Sequence, residues 1–245
     1  MAVPTQPGHE INSLSTVARL WRYPVKSMGG ELCESVNVNV RGVEGDRLFA
    51  LQDINGKFGS GKNTRRFRKI DGLFGFRAVY EGNVPVIVFP DGRTLRGNHA
   101  YIHDALSNIL GQPITLERET NISHFDAAPV HLLTTAALAW LNAAVPALTA
   151  DERRFRPNLV IDLPGNTQVE QSWIGKTLFV GAEVRLRVIE LTERCEMVAF
   201  AHADLPYDGK ILRRIAQAAE LRFGVYAEVL AAGRIKRGDC VTVVA

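Results

Sequence analysis

A chain of 245 residues, 46% hydrophobic and 22% charged and without a low-complexity tract, is long enough to bury a core and too apolar to stay disordered. Lys+Arg 29 against Asp+Glu 26 leaves a net charge of +3, too small for nucleic acid or an anionic membrane to be expected as a partner. Cys33, Cys195 and Cys240 are odd in number and far apart with no CxxC pair, which points to neither a disulfide framework nor a zinc knuckle and fits a reducing, cytoplasmic location.

In chain order, residues 1–14 carry neither a basic start nor an apolar run and read as a disordered lead-in. Val17 to Val40 gives two extended stretches, the second alternating Leu32, Glu34, Val36 and Val38 against Cys33, Ser35, Asn37 and Asn39. Further strands are predicted at Arg47–Gln52, Arg77–Tyr80, Val84–Phe89 and Ile114–Arg118, with a helix over Tyr101–Leu110 stopped by Gly111. Ala127 to Ala150 contains no Asp, Glu, Lys or Arg, yet His131, Thr134, Thr135, Asn142 and two prolines interrupt it. It reads as a strand followed by a buried helix from about Thr135 to Ala144, not as a membrane span. Strands follow at Leu159–Leu163, Thr177–Val180, Val184–Glu190, Tyr226–Leu230 and Cys240–Val244, and a helix over Gly209–Leu221 is opened by Asp208 as N-cap. Many short strands and widely spaced helices predict a mainly β fold with α+β elements and argue against a doubly wound nucleotide fold. A boundary falls near Gln112–Asn121, giving an N-terminal β-rich domain over 15–118 and a second domain over 119–245 that share an interface.

Gly56 to Thr64 nearly spells a phosphate-binding loop, but Asn63 stands where a hydroxyl should serve magnesium, and the basic run after it is too short for the required helix. Lys57, Lys62, Arg65, Arg66, Arg68 and Lys69 form a basic turn whose simplest reading is a solvated loop. Cys195 lies at a strand end beside Arg194, where a lowered thiol pKa would suit a nucleophile or a soft-metal ligand. Cys33 and Cys240 read as small packing residues.

Tyr23-Pro-Val-Lys-Ser27, Gly45-Asp-Arg47, Phe155-Arg-Pro-Asn158, Ser172-Trp173, Arg194-Cys195, Phe223-Gly-Val-Tyr226 and Gly238-Asp239 occur in an order and spacing that resembles the MOSC-domain family. That family is named after the C-terminal domain of molybdenum cofactor sulfurase; the likeness includes its N-terminal β-barrel domain and is nearest to the amidoxime-reducing branch. The resemblance implies a MOSC β-barrel-like domain and a smaller N-terminal β-rich domain that share a cleft for the molybdenum cofactor (Mo-molybdopterin). It implies Cys195 as molybdenum ligand and catalytic residue, and Lys26, Ser27, Arg47, Thr134, Thr135, Arg156, Asn158, Arg194 and Tyr226 as cofactor contacts. Guanidinium and ammonium groups converging from distant segments would hold the cofactor's phosphate.

The implied activity is reduction of a small N-hydroxylated molecule, with electrons from a separate donor protein because the iron–sulfur cysteines of longer relatives are absent. Two alternatives use the same residues: a sulfur carrier or transferase working through a Cys195 persulfide, and a non-catalytic molybdopterin carrier or phosphate-ligand binding module. The chain departs from the family after Cys195, where Glu196 to Gly209 replaces a Thr-rich turn, and at Ser60-Gly61-Lys62, which replaces Thr-Ala-Arg. His202 and Asp204 in the first of these are candidate proton donors.

Overall fold

Alternating β-branched and aliphatic residues need a closed surface on which to bury one face, and here seven strands supply it. The computed structural model describes residues 15–144, 150–202 and 204–244. The strands are β1 (Ser15–Arg22), β2 (Val130–Thr134), β3 (Leu159–Asp162), β4 (Thr177–Val180), β5 (Val184–Glu193), β6 (Arg222–Ala231) and β7 (Cys240–Val244). They are joined in the order β3-β2-β6-β5-β4-β7-β1, and β1 pairs back onto β3 to close a barrel. Closure removes the exposed edges that an open sheet of this composition would carry. Val17, Leu132, Ile161, Leu186 and Val225 fill the interior with Trp173, whose aromatic bulk anchors this core.

Seven further strands form two more sheets. Ile114–Arg118, Phe49–Asp53, Phe58–Ser60 and Phe67–Lys69 form one sheet, and Thr94–Arg96, Val84–Val88 and Arg77–Glu81 another. With helix α1 (Ile102–Leu110) they enclose a separate core around Leu51, Phe76, Ile87 and Leu106. Gly111 closes α1 at φ 67°, the left-handed cap its position predicts. Helices α2 (Thr135–Ala144) and α3 (Gly209–Ala219) pack through Leu141, Ile211 and Ile215 against Phe223.

Among the described residues, then, the fold is mainly β with three α-helices, as the strand-rich pattern predicts. The basic turn after Gly56 joins two short strands that pair in parallel, Phe58–Ser60 with Phe67–Lys69, so no helix N-terminus faces it and the phosphate-loop likeness has no structural counterpart. The strand expected from Arg47 begins at Phe49, because Arg47 itself is left-handed at φ 50°. The third helix stops at Ala219 rather than Leu221, since Glu220 and Leu221 both adopt positive φ. Cys33 packs against the barrel core as a small apolar residue would, whereas Cys240 faces outward and is exposed, against the packing role expected of it.

Candidate functional site

Two tight turns, one strand end and a mid-strand tyrosine meet at one cleft. The turn at Arg47, the turn at Arg156, the end of β5 at Arg194 and Cys195, and Tyr226 on β6 line one cavity of about 90 Å³, although the first and last of them are 179 positions apart in the chain. Ser27, Arg47 and Arg156 all hold left-handed backbone, at φ 62°, 50° and 56°. For non-glycine residues that conformation costs about 1–3 kcal/mol each and persists only where surrounding contacts enforce it. Here those contacts are visible. The Arg47 amide donates to the Tyr23 carbonyl at 2.6 Å, and the Arg156 amide to the Glu152 carbonyl at 3.2 Å.

The Tyr23 ring lies between two cations, with the Arg47 guanidinium 5.0 Å and that of Arg156 4.3 Å from its centroid. Arg47 is neutralised by the adjacent Asp46 and also donates to the Arg156 carbonyl at 3.2 Å. Arg156 and Arg194 differ from it. Arg156 donates through Nη1 to the Met28 carbonyl, while its buried Nη2 has no partner. Arg194 donates through Nε to the Phe223 carbonyl at 2.8 Å, through Nη1 to the Phe155 carbonyl at 3.2 Å and through Nη2 to the His131 ring. Among the described residues neither has a carboxylate within ion-pair distance; Asp151 and Glu152, the acids nearest Arg156 in sequence, pair with Arg153 and Arg19. Burial, reinforced for Arg156 by Arg47, pushes both guanidiniums down to about 10, so both remain cationic at neutral pH without a counter-ion. Cys195 stands exposed beside them, at the point where β5 gives way to the short turn Glu196–Ala199.

The other residues implicated by the sequence lie behind this cleft, not in it. Lys26 is buried, donating to the His124 carbonyl at 2.9 Å and pairing with Asp126 at 3.1 Å. Burial, only partly offset by Asp126, lowers it to about 8. It therefore acts through Asp126, which reaches the cleft wall and also meets Lys62 at 3.6 Å. Ser27 is buried in the turn beneath. Thr134 donates to Glu170 at 2.8 Å and accepts from the Ala137 amide at 3.0 Å, capping α2. Thr135 bonds Asp162 and Leu163, and Asn158 accepts from the His131 amide and donates to the Trp21 carbonyl, tying β1 to β2. These three are structural ties and do not line the cavity. His202 is buried against Phe74, 4.7 Å between centroids, and held neutral by burial; Asp204 pairs with Arg153 at 2.8 Å. Neither lines the cleft as a proton donor would.

Lys62, Asp126, His131 and Arg154 do line it and were not read as site residues from the sequence. His131 carried a usable signal: in β2 it lies on the face opposite Val130, Leu132 and Thr134, the face that turns away from the barrel core. Arg154 fixes the loop after Cys195 by donating to the carbonyls of Phe200 at 2.9 Å and Pro206 at 2.5 Å.

Residues 119–242 match the MOSC domain and residues 14–91 the MOSC N-terminal beta barrel domain. Among solved structures, the crystal structure of APC1665, the YUAD protein from Bacillus subtilis, aligns over 94% of this chain and 96% of that one with a TM-score of 0.53 at 12% identity, a likeness of fold. YiiM from Geobacillus stearothermophilus aligns over 48% of this chain and 55% of its own, with a TM-score of 0.37 at 18% identity. No curated protein matches the chain. No described helix is long and apolar enough to cross a membrane, and no cluster of three metal-ligating side chains occurs among the described residues.

Proposed function

The chain belongs to the MOSC-domain family, and from that premise we propose that it is a molybdenum-cofactor-dependent oxidoreductase that reduces N-hydroxylated small molecules, with the Cys195 thiolate as the molybdenum ligand. The observation that carries this reading is the pair Arg156 and Arg194, buried cations with no carboxylate within ion-pair distance among the described residues, facing the same cleft as an exposed thiol. A buried charge without a partner is costly, and an anionic ligand offsets that cost.

The residues present fit the cofactor in kind. Arg156 has a free Nη2 donor for a phosphate oxygen, and Cys195 offers the soft sulfur that molybdenum takes. The enclosed volume, about 90 Å³, matches an anionic group and not an entire pterin, so this part of the cleft corresponds to the anionic end. Arg47 and Arg194 would hold that end, Tyr226 would flank it, and Lys26 would set the local charge through Asp126. When bound, the cofactor supplies the two electrons that, with two protons, convert N–OH to N–H and water. The chain's own part is to orient, to hold charge and, through Phe74 and Met197 in the cleft wall, to limit water. Electrons would come from a separate donor protein.

The exposure of Cys195 also favours the sulfur-transfer reading, since a persulfide needs room outside the wall and gains from nearby cations. Metal and pterin analysis of protein from cofactor-replete cells separates the two. We expect about one molybdenum per chain, lost in Cys195→Ser with the fold retained and kept in Cys33→Ser and Cys240→Ser. Metal-free wild type, or a Cys195→Ser protein that keeps its metal, would overturn the assignment. Pterin retained without turnover under any electron donor would leave a carrier.

A further inference from the structure

A second cavity of about 500 Å³ opens beside the cleft, walled by Ile70, Phe74 and Pro90 from the N-terminal half and by Phe200, Ala201 and Tyr207 from the loop that follows Cys195. Its volume falls within the range of small-molecule sites and it lies between two packed units, where such sites concentrate. Phe74 lines both cavities, and a side chain at Gly61 would strike Met197, which lines the cleft; the partition between the two spaces is therefore one aromatic ring and one methionine. Three glycines, Gly61, Gly72 and Gly75, leave part of the lining bare. Lys69 and Asp71 stand on the lining and pair with each other at 3.7 Å, so they present no net charge.

We infer that this cavity receives the uncharged, apolar body of the substrate, while the substrate's polar end points past Phe74 toward Cys195. The inference rests on the N–OH reduction reading for the polar end, but the body is assigned by the cavity itself. A charged or strongly polar body would lose its hydration against Ile70, Phe74 and Phe200, while the charged groups on the lining, Lys69 and Asp71, already pair with each other. The far wall is built by the segment in which the chain departs from its family, so Phe200 and Tyr207 make the preference a property of this sequence. Arg154, by holding the Phe200 and Pro206 carbonyls, couples the position of that wall to the cleft that Arg154 also lines.

Naphthalene-2-carboxamide, which has such a body and no N–OH, tests the cavity on the full chain with or without metal. By titration calorimetry we expect saturable binding, weakened about tenfold or more in Ala201→Trp, which fills the cavity from an exposed loop position, and not displaced by inorganic phosphate. Tyr207→Ala, which removes an exposed wall, serves as the second variant should the tryptophan disturb the fold, with the same direction expected. No binding, equal binding by both variants, or displacement by phosphate overturns the proposal. On the metal-loaded protein, Ala201→Trp should raise KM for a naphthyl N-hydroxy compound and leave that for hydroxylamine, which has no body, unchanged; an equal effect on both overturns it. Binding of the carboxamide with no turnover of either N-hydroxy compound sinks the reduction reading and leaves the cavity assignment standing.

Discussion

Arg156 concentrates the physical conflict of the site in one side chain: a strained backbone, a stack on Tyr23, one hydrogen bond to the Met28 carbonyl, and a buried amino group bonded to nothing. Were such arginines largely solvated in the ligand-free protein, as the sequence alone allows, their removal would cost about 1 kcal/mol or less. Their burial changes the expectation. Replacing a buried, uncompensated charge by an apolar side chain of similar volume is often neutral or stabilising. Arg156→Met should therefore leave the melting temperature of the metal-free protein unchanged or raised, while bound pterin falls sharply. A large loss of apo stability with normal pterin content would make Arg156 a structural residue and remove the cleft's anion site. The sequence marked Arg47, Arg156, Arg194 and Cys195 through their short motifs. It could not mark the left-handed backbone at Ser27, Arg47 and Arg156, because none is glycine and the strain is imposed by contacts remote in sequence.

At the level of the elements, the junction of β2 and α2 shows what two residues implied by the family resemblance do in the fold. Thr134 and Thr135 are hydrogen-bonded in joining β2 to α2 and to the end of β3. Thr134→Val removes the cap of α2 and leaves the buried Glu170, whose second oxygen is already unpartnered, without its donor. The expected cost is about 2 kcal/mol in chemical denaturation, with pterin content unchanged; loss of pterin at unaltered stability would instead make Thr134 a contact. Strands whose residues alternate against a closed core, such as Thr177–Val180 and Cys240–Val244, were legible to the residue. What stayed hidden was set by pairing across the molecule. Phe58–Ser60 and Phe67–Lys69 are three residues each inside a basic turn, and their parallel pairing leaves no local pattern. The irregular register between β5 and β6 likewise depends on both strands at once, and it lies on the path to Arg194 and Cys195.

Taken as a whole, the chain is interlaced: β1 closes a barrel made otherwise of residues beyond 129, and Ser35–Asn39 pairs with Gly233–Lys236. The seam between the halves is where the molecule keeps its neutral histidines. His124 contacts the Arg47 carbonyl, His131 the Arg194 guanidinium and His202 the Phe74 ring. Burial lowers His124 and His202 to about 4, and burial together with Arg194 puts His131 well below its usual value. Glu170 acts in the opposite sense, raised by burial to about 7. Between about pH 4.5 and 6.5 the unfolded chain thus binds up to three more protons at the histidines and releases up to one from Glu170, so unfolding takes up as many as two. Stability must then fall as pH falls through that window, by at most about 3 kcal/mol per pH unit. Above it, between about 6.5 and 7, the histidine uptake tails off while the Glu170 release offsets much of what is left, so the slope flattens without changing sign. Urea midpoints measured in steps across this range read the proton uptake directly. His202→Asn, which cannot titrate, should flatten the slope by one proton; a wild-type midpoint independent of pH between 4.5 and 6.5 would show that these histidines are not held neutral, and that the seam between the halves is open to water.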